Sequence, residues 1–208
     1  MSDQFSENKY KIGFFGGSFD PIHQGHVSVA LATINKFNLH KVLICPAFFA
    51  PLRETRPLFS AEHRLAMAET VCKEHSKLEL FDQEVLSGKT CYTYHTLKSV
   101  QKNFPKCKIF MMLGDDQFAK FNQWKFNQQI LNEFSVIIFN RDHEGDRIST
   151  NHMPSPSLIY QLHNQLLPYS SSAIRDCIQK GNDITNLVPS CVFSYMKKNQ
   201  LLDFTTNE

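Results

Sequence analysis

The sequence predicts an α/β protein of the Rossmann-like, doubly wound kind: a mainly parallel sheet with helices on both faces. Three observations carry this. Short apolar runs alternate with stretches of helical period along the whole chain. Glycine or proline closes several of the apolar runs, as in KIGFFGG, KVLICP and KIFMMLG. The chemically unusual residues follow Phe15, Cys45, Leu113 and Phe139, and in open parallel sheets ligands bind beyond the carboxyl ends of the strands.

Lys11 to Phe15 is a buried strand ended by Gly16-Gly17, and a helix from about Gln24 to Phe37 carries Val27, Ala30, Leu31 and Ile34 at helical spacing. Lys41 to Cys45 is the second strand, stopped by Pro46 and followed by a long loop. Ser60 is the N-cap of a helix running to about Glu74, with Leu65, Ala68 and Cys72 on one face. KLELFD is a third strand and TYHTLKSVQKNF a helix, which Pro105 separates from strand Lys108 to Leu113. NQQILNEF is a short helix before strand Ser135 to Phe139. The polar stretch Asn140 to Pro156 is a loop, either a lid or simply solvated. SLIYQL is the last strand. Helices follow from about Ser171 to Lys180, ended by Gly181, and from Ser190 to Lys198 after Pro189. The expected organisation is one domain over residues 1–208, with a small helical C-terminal portion from about residue 170.

With 208 residues, 42% hydrophobic and 20% charged, the chain can bury a core. Twenty-two basic against 20 acidic residues leave a formal charge of +2, too balanced for a nucleic-acid-coating surface. Six scattered cysteines without a CxxC pair read as reduced and buried. The polar N-terminus lacks a signal peptide's apolar stretch, and no run approaches the roughly 20 apolar residues of a membrane span. A cytoplasmic protein without membrane or nucleic-acid partners is expected.

The stretch GFFGGSFDPIHQGHVSVA, Gly13 to Ala30, concentrates the chemistry. Two glycines after a strand let the backbone approach a ligand and take positive φ. The helix start that follows offers N–H groups and a dipole end suited to phosphate. His23 and His26 lie one turn apart, so their imidazoles project on nearly the same side and can give N–H bonds to phosphate oxygens. H-x-x-H is also a spacing for metal ligands, but no third ligand cluster stands out. Neither the G-x-G-x-x-G fingerprint nor the G-K-[ST] of a P-loop is present.

The full string GGSFDPIHQGH resembles the G-[ST]-F-D-P-x-H-x-G-H signature of the nucleotidyltransferase superfamily, which shares its HxGH element with class I aminoacyl-tRNA synthetases. From about Lys11 to Leu202 the chain resembles the bacterial nicotinate mononucleotide adenylyltransferases. PAFFAPLR is similar to the family's P-x-x-x-P-P-H-[KR], keeping Pro51 and Arg53 but with Ala50 and Leu52 in place of proline and histidine. EHRLAM resembles its R-x-x-M helix at Arg64 and Met67. CYTYHTL resembles S-Y-T-x-x-T-L, with Cys91 for the serine. MLGDDQFAKFNQW resembles its G-x-D segment and tryptophan. IIFNRDHEG resembles its R-P-G turn with Asp142 for proline, and YSSSAIR its I-S-S-T-x-I-R with Ser172 for threonine.

The resemblance implies transfer of AMP from ATP to nicotinate mononucleotide, giving deamido-NAD and pyrophosphate, with Mg²⁺ travelling with ATP. It implies His23, His26 and Arg175 as catalytic residues, and Gly16, Gly17, Ser18, Phe19, Gly114, Asp116, Ser170, Ser171 and Ser172 as the ATP site. Arg53, Tyr92, Thr93, Trp124 and Arg141 would hold the mononucleotide. On chemistry alone Trp124 is a core plug or a stacking platform, Thr93 a helix cap or a substrate contact, and Asp116 a cap or a ribose acceptor. Three serines and an in-register arginine exceed what a plain N-cap needs and favour phosphate. Alternatives are nicotinamide mononucleotide or another phosphorylated acceptor, or a nucleotide-binding regulator without turnover. Self-association is left open.

Overall fold

The computed structural model describes residues 10–52, 55–140, 159–162 and 170–202. Six strands form one sheet: β1 (Tyr10–Gly17), β2 (Lys41–Pro46), β3 (Leu78–Leu80), β4 (Cys107–Gly114), β5 (Ser135–Phe139) and β6 (Ile159–Leu162). Their order is β3-β2-β1-β4-β5-β6, and every pairing is parallel. The order reverses between β1 and β4, whose following connections run to opposite sides, and at such a switch point ligands bind beyond the carboxyl ends of the strands.

The strand side chains alternate between two cores. Along β4, Phe110 and Met112 face one cluster, and Ile109, Met111 and Leu113 face the other. The first cluster takes in α1 (Gln24–Phe37), α2 (Ala61–Glu74), α7 (Ser171–Gln179) and α8 (Ser190–Lys198). The second takes in α4 (Thr93–Asn103), α5 (Asp115–Phe118), α6 (Asn127–Glu133) and a 3-10 turn at Phe121–Gln123. The doubly wound expectation is met, and the sheet is parallel throughout the described residues.

Most elements fall where periodicity places them; α1, β5 and α8 have the expected bounds. Three differences matter. Strand β1 runs through both glycines to Gly17, and neither takes positive φ; that conformation belongs to Phe19, at φ 45. A Cβ on Gly16 or Gly17 would press on the rings of Phe14 or Phe19 at 3.1 and 3.3 Å, so these glycines make room for aromatic packing. The buried stripe of α2 is Arg64, Met67, Ala68 and Val71; of the expected Leu65, Ala68 and Cys72, Ala68 is buried and the other two are half-buried. Of the six cysteines, all free, only Cys45 is buried; the other five are half-exposed. Helix α3 (Gln83–Ser87), α5 and the 3-10 turn were not expected. The Gly181 stop is met at φ 69, with Asn182 N–H reaching back to the Cys177 carbonyl. Among the described residues no helix is long and apolar enough to cross a membrane.

Candidate active site

The site is built at the carboxyl rim of the sheet, starting from the β1–α1 turn. His23 is the N-cap of α1, and its Nδ1 accepts the Gly25 N–H at 3.1 Å. His26 answers from the first turn, its Nδ1 accepting the His23 N–H at 3.2 Å. This is a capping box made of imidazoles. With Nδ1 of each neutral ring accepting, the network assigns the proton to Nε2 in both. The rings lie 3.7 Å apart between centroids, tilted by 35°. His26 is held edge-on by Phe15 and Phe19.

The geometry corrects one expectation. The N–H groups at the start of α1 are taken up within the protein: Gly25 by His23, His23 by His26, and Gln24 by the Leu187 carbonyl at 3.2 Å. An anion at this turn would not be held by the amides of Gln24 or Gly25.

Asp20, which sequence reasoning passed over, organises the surroundings. Its carboxylate is fully buried and accepts the N–H groups of Leu58 and Phe59, each at 3.0 Å. Arg175 of α7 lies 3.6 Å from that carboxylate and donates to the Asp20 carbonyl at 2.8 Å. Ser171 Oγ donates to the Pro21 carbonyl at 3.1 Å. Helix α7 is thereby tied to the backbone two and three residues before His23, so Arg175 and the serines share the rim with the histidine pair. The three hydroxyls have separate tasks: Ser170 caps Ala173 N–H, Ser171 is the tether, and Ser172 accepts from Arg175 at 3.1 Å. An accepting hydroxyl keeps its own proton to give, so Ser170 and Ser172 retain a donor for a ligand.

Arg64, buried to 1% exposure, was also missed as a site-forming residue. Its guanidinium donates to the carbonyls of Ser18 (2.6 Å), Ala47 (2.7 Å), Phe48 (2.8 Å) and Phe59 (3.2 Å). It pins the turn after β1 to the loop after β2 and shapes the Ser18–Phe19 segment. Its register was the available signal, since residues 64, 67, 68 and 71 follow i, i+3, i+4, i+7.

On the other side of the rim, Gly114 ends β4 and is the N-cap of α5; Asp116 is exposed, accepting from Gln117 at 3.1 Å. The cap of this short helix is not Asp116; Asp115 accepts the Asp116 N–H. Thr93 is not a cap either: Tyr92 is the N-cap of α4 and makes no side-chain capping bond. Trp124 is half-buried at the edge of the second core, 5.4 Å from Phe121. The Lys125 ammonium stands 4.6 Å over the Tyr92 ring, which brings the Trp124 loop to the start of α4. Arg53, Arg141 and the loop expected at 140–156, apart from Asn140, lie outside the described residues.

Beneath α4, Glu84 is buried, and Thr96 donates to its carboxylate at 2.6 Å. Burial raises its pKa, the Thr96 bond opposing in part. Burial and then the Glu84 charge push the neighbouring Cys45 thiol well above its usual value. Because the folded pKa of Glu84 exceeds its unfolded value, its stabilising contribution is complete below the unfolded pKa and is lost as pH rises through the folded one. Glu84→Gln is therefore expected to melt higher relative to wild type at pH 8 than at pH 4, by about 2–4 °C for each kcal/mol recovered. Melting curves at both pH values check this; an equal offset at the two contradicts it.

The fold and rim together define the class: a Rossmann-like nucleotidyltransferase with an HxGH turn. The cytidylyltransferase-like family model matches residues 14–177. The chain belongs to the cytidylyltransferase-like family. Relatives named "Probable nicotinate-nucleotide adenylyltransferase" include one from Hydrogenovibrio crunogenus, 32% identical over 91% of this chain and 96% of the relative. Another, from Desulfatibacillum aliphaticivorans, is 30% identical over 92% and 99%. The solved structure of Plasmodium falciparum nicotinic acid mononucleotide adenylyltransferase complexed with NaAD superposes with a TM-score of 0.76. It is 26% identical and matches 94% of this chain and 98% of its own.

Proposed function

We propose that the chain is a nicotinate-nucleotide adenylyltransferase, transferring AMP from ATP to nicotinate mononucleotide and releasing pyrophosphate, in the cytoplasm. The observation that supports this is the tie of Arg175 and Ser171 to the carbonyls of Asp20 and Pro21, three and two residues before His23. The 5′-phosphate of the mononucleotide attacks the α-phosphorus of ATP in line, the new P–O bond forming as the bond to pyrophosphate breaks. That phosphate is already largely dianionic, since its second pKa is about 6, so no general base is required. Catalysis then rests on aligning two anions and on donors placed where charge builds up on the leaving group. His23 and His26 supply Nε2–H donors there, and Arg175, Ser170 and Ser172 face the β- and γ-phosphates.

Among the described residues no three His, Cys, Asp or Glu side chains converge on a metal site. A Mg²⁺ would arrive with ATP, held by its phosphates and water and offsetting their charge. Tyr92, Thr93 and Trp124 form the acceptor side, Trp124 presenting a plane for the pyridine ring. Helix α4 starts without a side-chain cap or an acidic residue in its first turn, and Lys125 stands beside Tyr92. Both features favour a carboxylate over an amide.

The test is pyrophosphate release from ATP with nicotinate or nicotinamide mononucleotide in parallel. The acid should be preferred by about tenfold or more in kcat/KM, a difference of about 1.4 kcal/mol. Release with neither acceptor would overturn the activity; preference for the amide would overturn the acceptor.

A further inference from the structure

We infer that Phe126 is a positioning residue that sets the width of the acceptor pocket by clamping the Trp124 loop to the first turn of α4. Phe126 sits in the left-handed region, at φ 68 and ψ 24. A bulky side chain holds that conformation only where its surroundings over-determine it, and such residues gather at ligand clamps. Its surroundings here are the start of α4: the rings of Tyr92 (6.0 Å), Tyr94 (5.4 Å) and His95 (4.8 Å). The Lys125 ammonium lies over both Phe126 (5.4 Å) and Tyr92 (4.6 Å), bridging the same two segments.

The rest of the loop is closed upon itself. Asn127 Nδ2 donates to the carbonyls of Phe121 (3.4 Å) and Asn122 (2.8 Å), and Trp124 N–H to Phe121 (3.0 Å). The Phe126 ring belongs to neither core cluster; its ring neighbours among the described residues are all in the first turn of α4 or its cap, with Tyr94 alone of them packed on the second core. A pyridine stacked on Trp124 with its carboxylate toward Thr93 needs a set spacing between that loop and α4, and Phe126 supplies it.

This rests on the acceptor assignment above, and the experiment separates the two. Phe126→Gly removes the ring and relieves the backbone; Phe126→Tyr keeps the ring. In the full chain, Phe126→Gly should raise KM and Kd for nicotinate mononucleotide about ten- to a hundredfold, with kcat and the KM for ATP within about twofold. Phe126→Tyr should restore wild-type values, and Trp124→Ala serves as a positive control for acceptor loss. Unchanged mononucleotide binding in Phe126→Gly overturns the inference. So does a joint fall of kcat, both affinities and melting temperature, which would mark a purely structural role. Should the glycine variant not fold, Phe126→Leu gives the same reading. A wild type that does not bind nicotinate mononucleotide removes the acceptor assignment and this inference with it; a wild type that binds, with an unaffected glycine variant, removes the inference alone.

Discussion

Replacing His23 by alanine is expected to lower kcat by about a hundredfold to a thousandfold, the usual cost of deleting one donor to developing charge, about 2.7–4 kcal/mol. The geometry complicates the simplest version of that experiment, because His23 also caps α1 through Nδ1. Loss of a cap alone costs about 1 kcal/mol of stability. His23→Asn separates the roles: asparagine is among the best N-caps, yet it lacks an Nε2–H at imidazole reach. It should melt close to wild type and still be as slow as the alanine variant. Turnover near wild type in His23→Asn would show that capping is the whole contribution of this side chain.

Arg64→Met should have the largest effect on folding. Methionine matches the stem in shape but leaves the carbonyls of Ser18, Ala47, Phe48 and Phe59 without the guanidinium. Breaking a buried, hydrogen-bonded charge arrangement costs about 3–5 kcal/mol. At about 2–4 °C per kcal/mol for a chain of this size, melting should fall by roughly 6–20 °C. Arg64→Lys keeps a charge but not the planar fork and should lie between the two. Thermal denaturation of the three proteins decides it; a methionine variant that melts with the wild type contradicts the assignment, whereas loss of soluble protein agrees with it.

Much of this architecture was readable before any coordinates, and the reasons are physical. Strands such as Ser135–Phe139 are buried on both faces, so they read as unbroken apolar runs, and α1 announces itself through periodicity and an HxGH start. The HxGH turn and the serine-arginine helix were both found as motifs, because ligand chemistry demands unusual residues at close spacing. The short elements escaped. Helices of four or five residues, such as α5 and α3, hold little periodic signal and are set by contacts made elsewhere in the fold. Buried polar residues escaped for a related reason: Asp20, Arg64 and Glu84 look solvated until their distant partners are known. Arg64 is the instructive case, since it occupies the first place of an apolar stripe, and a charge there signals a buried network of hydrogen bonds. The glycines of the β1 turn misled in the opposite sense: they suggested backbone freedom, and the structure uses them to accommodate aromatic rings.

The bond from Arg175 to the Asp20 carbonyl joins positions 155 residues apart. As the polypeptide leaves the ribosome, the turn that carries the imidazoles emerges long before Arg175, their proposed cationic counterpart. On the proposed function, products truncated before Ser170 would therefore be inert even where their sheet is formed.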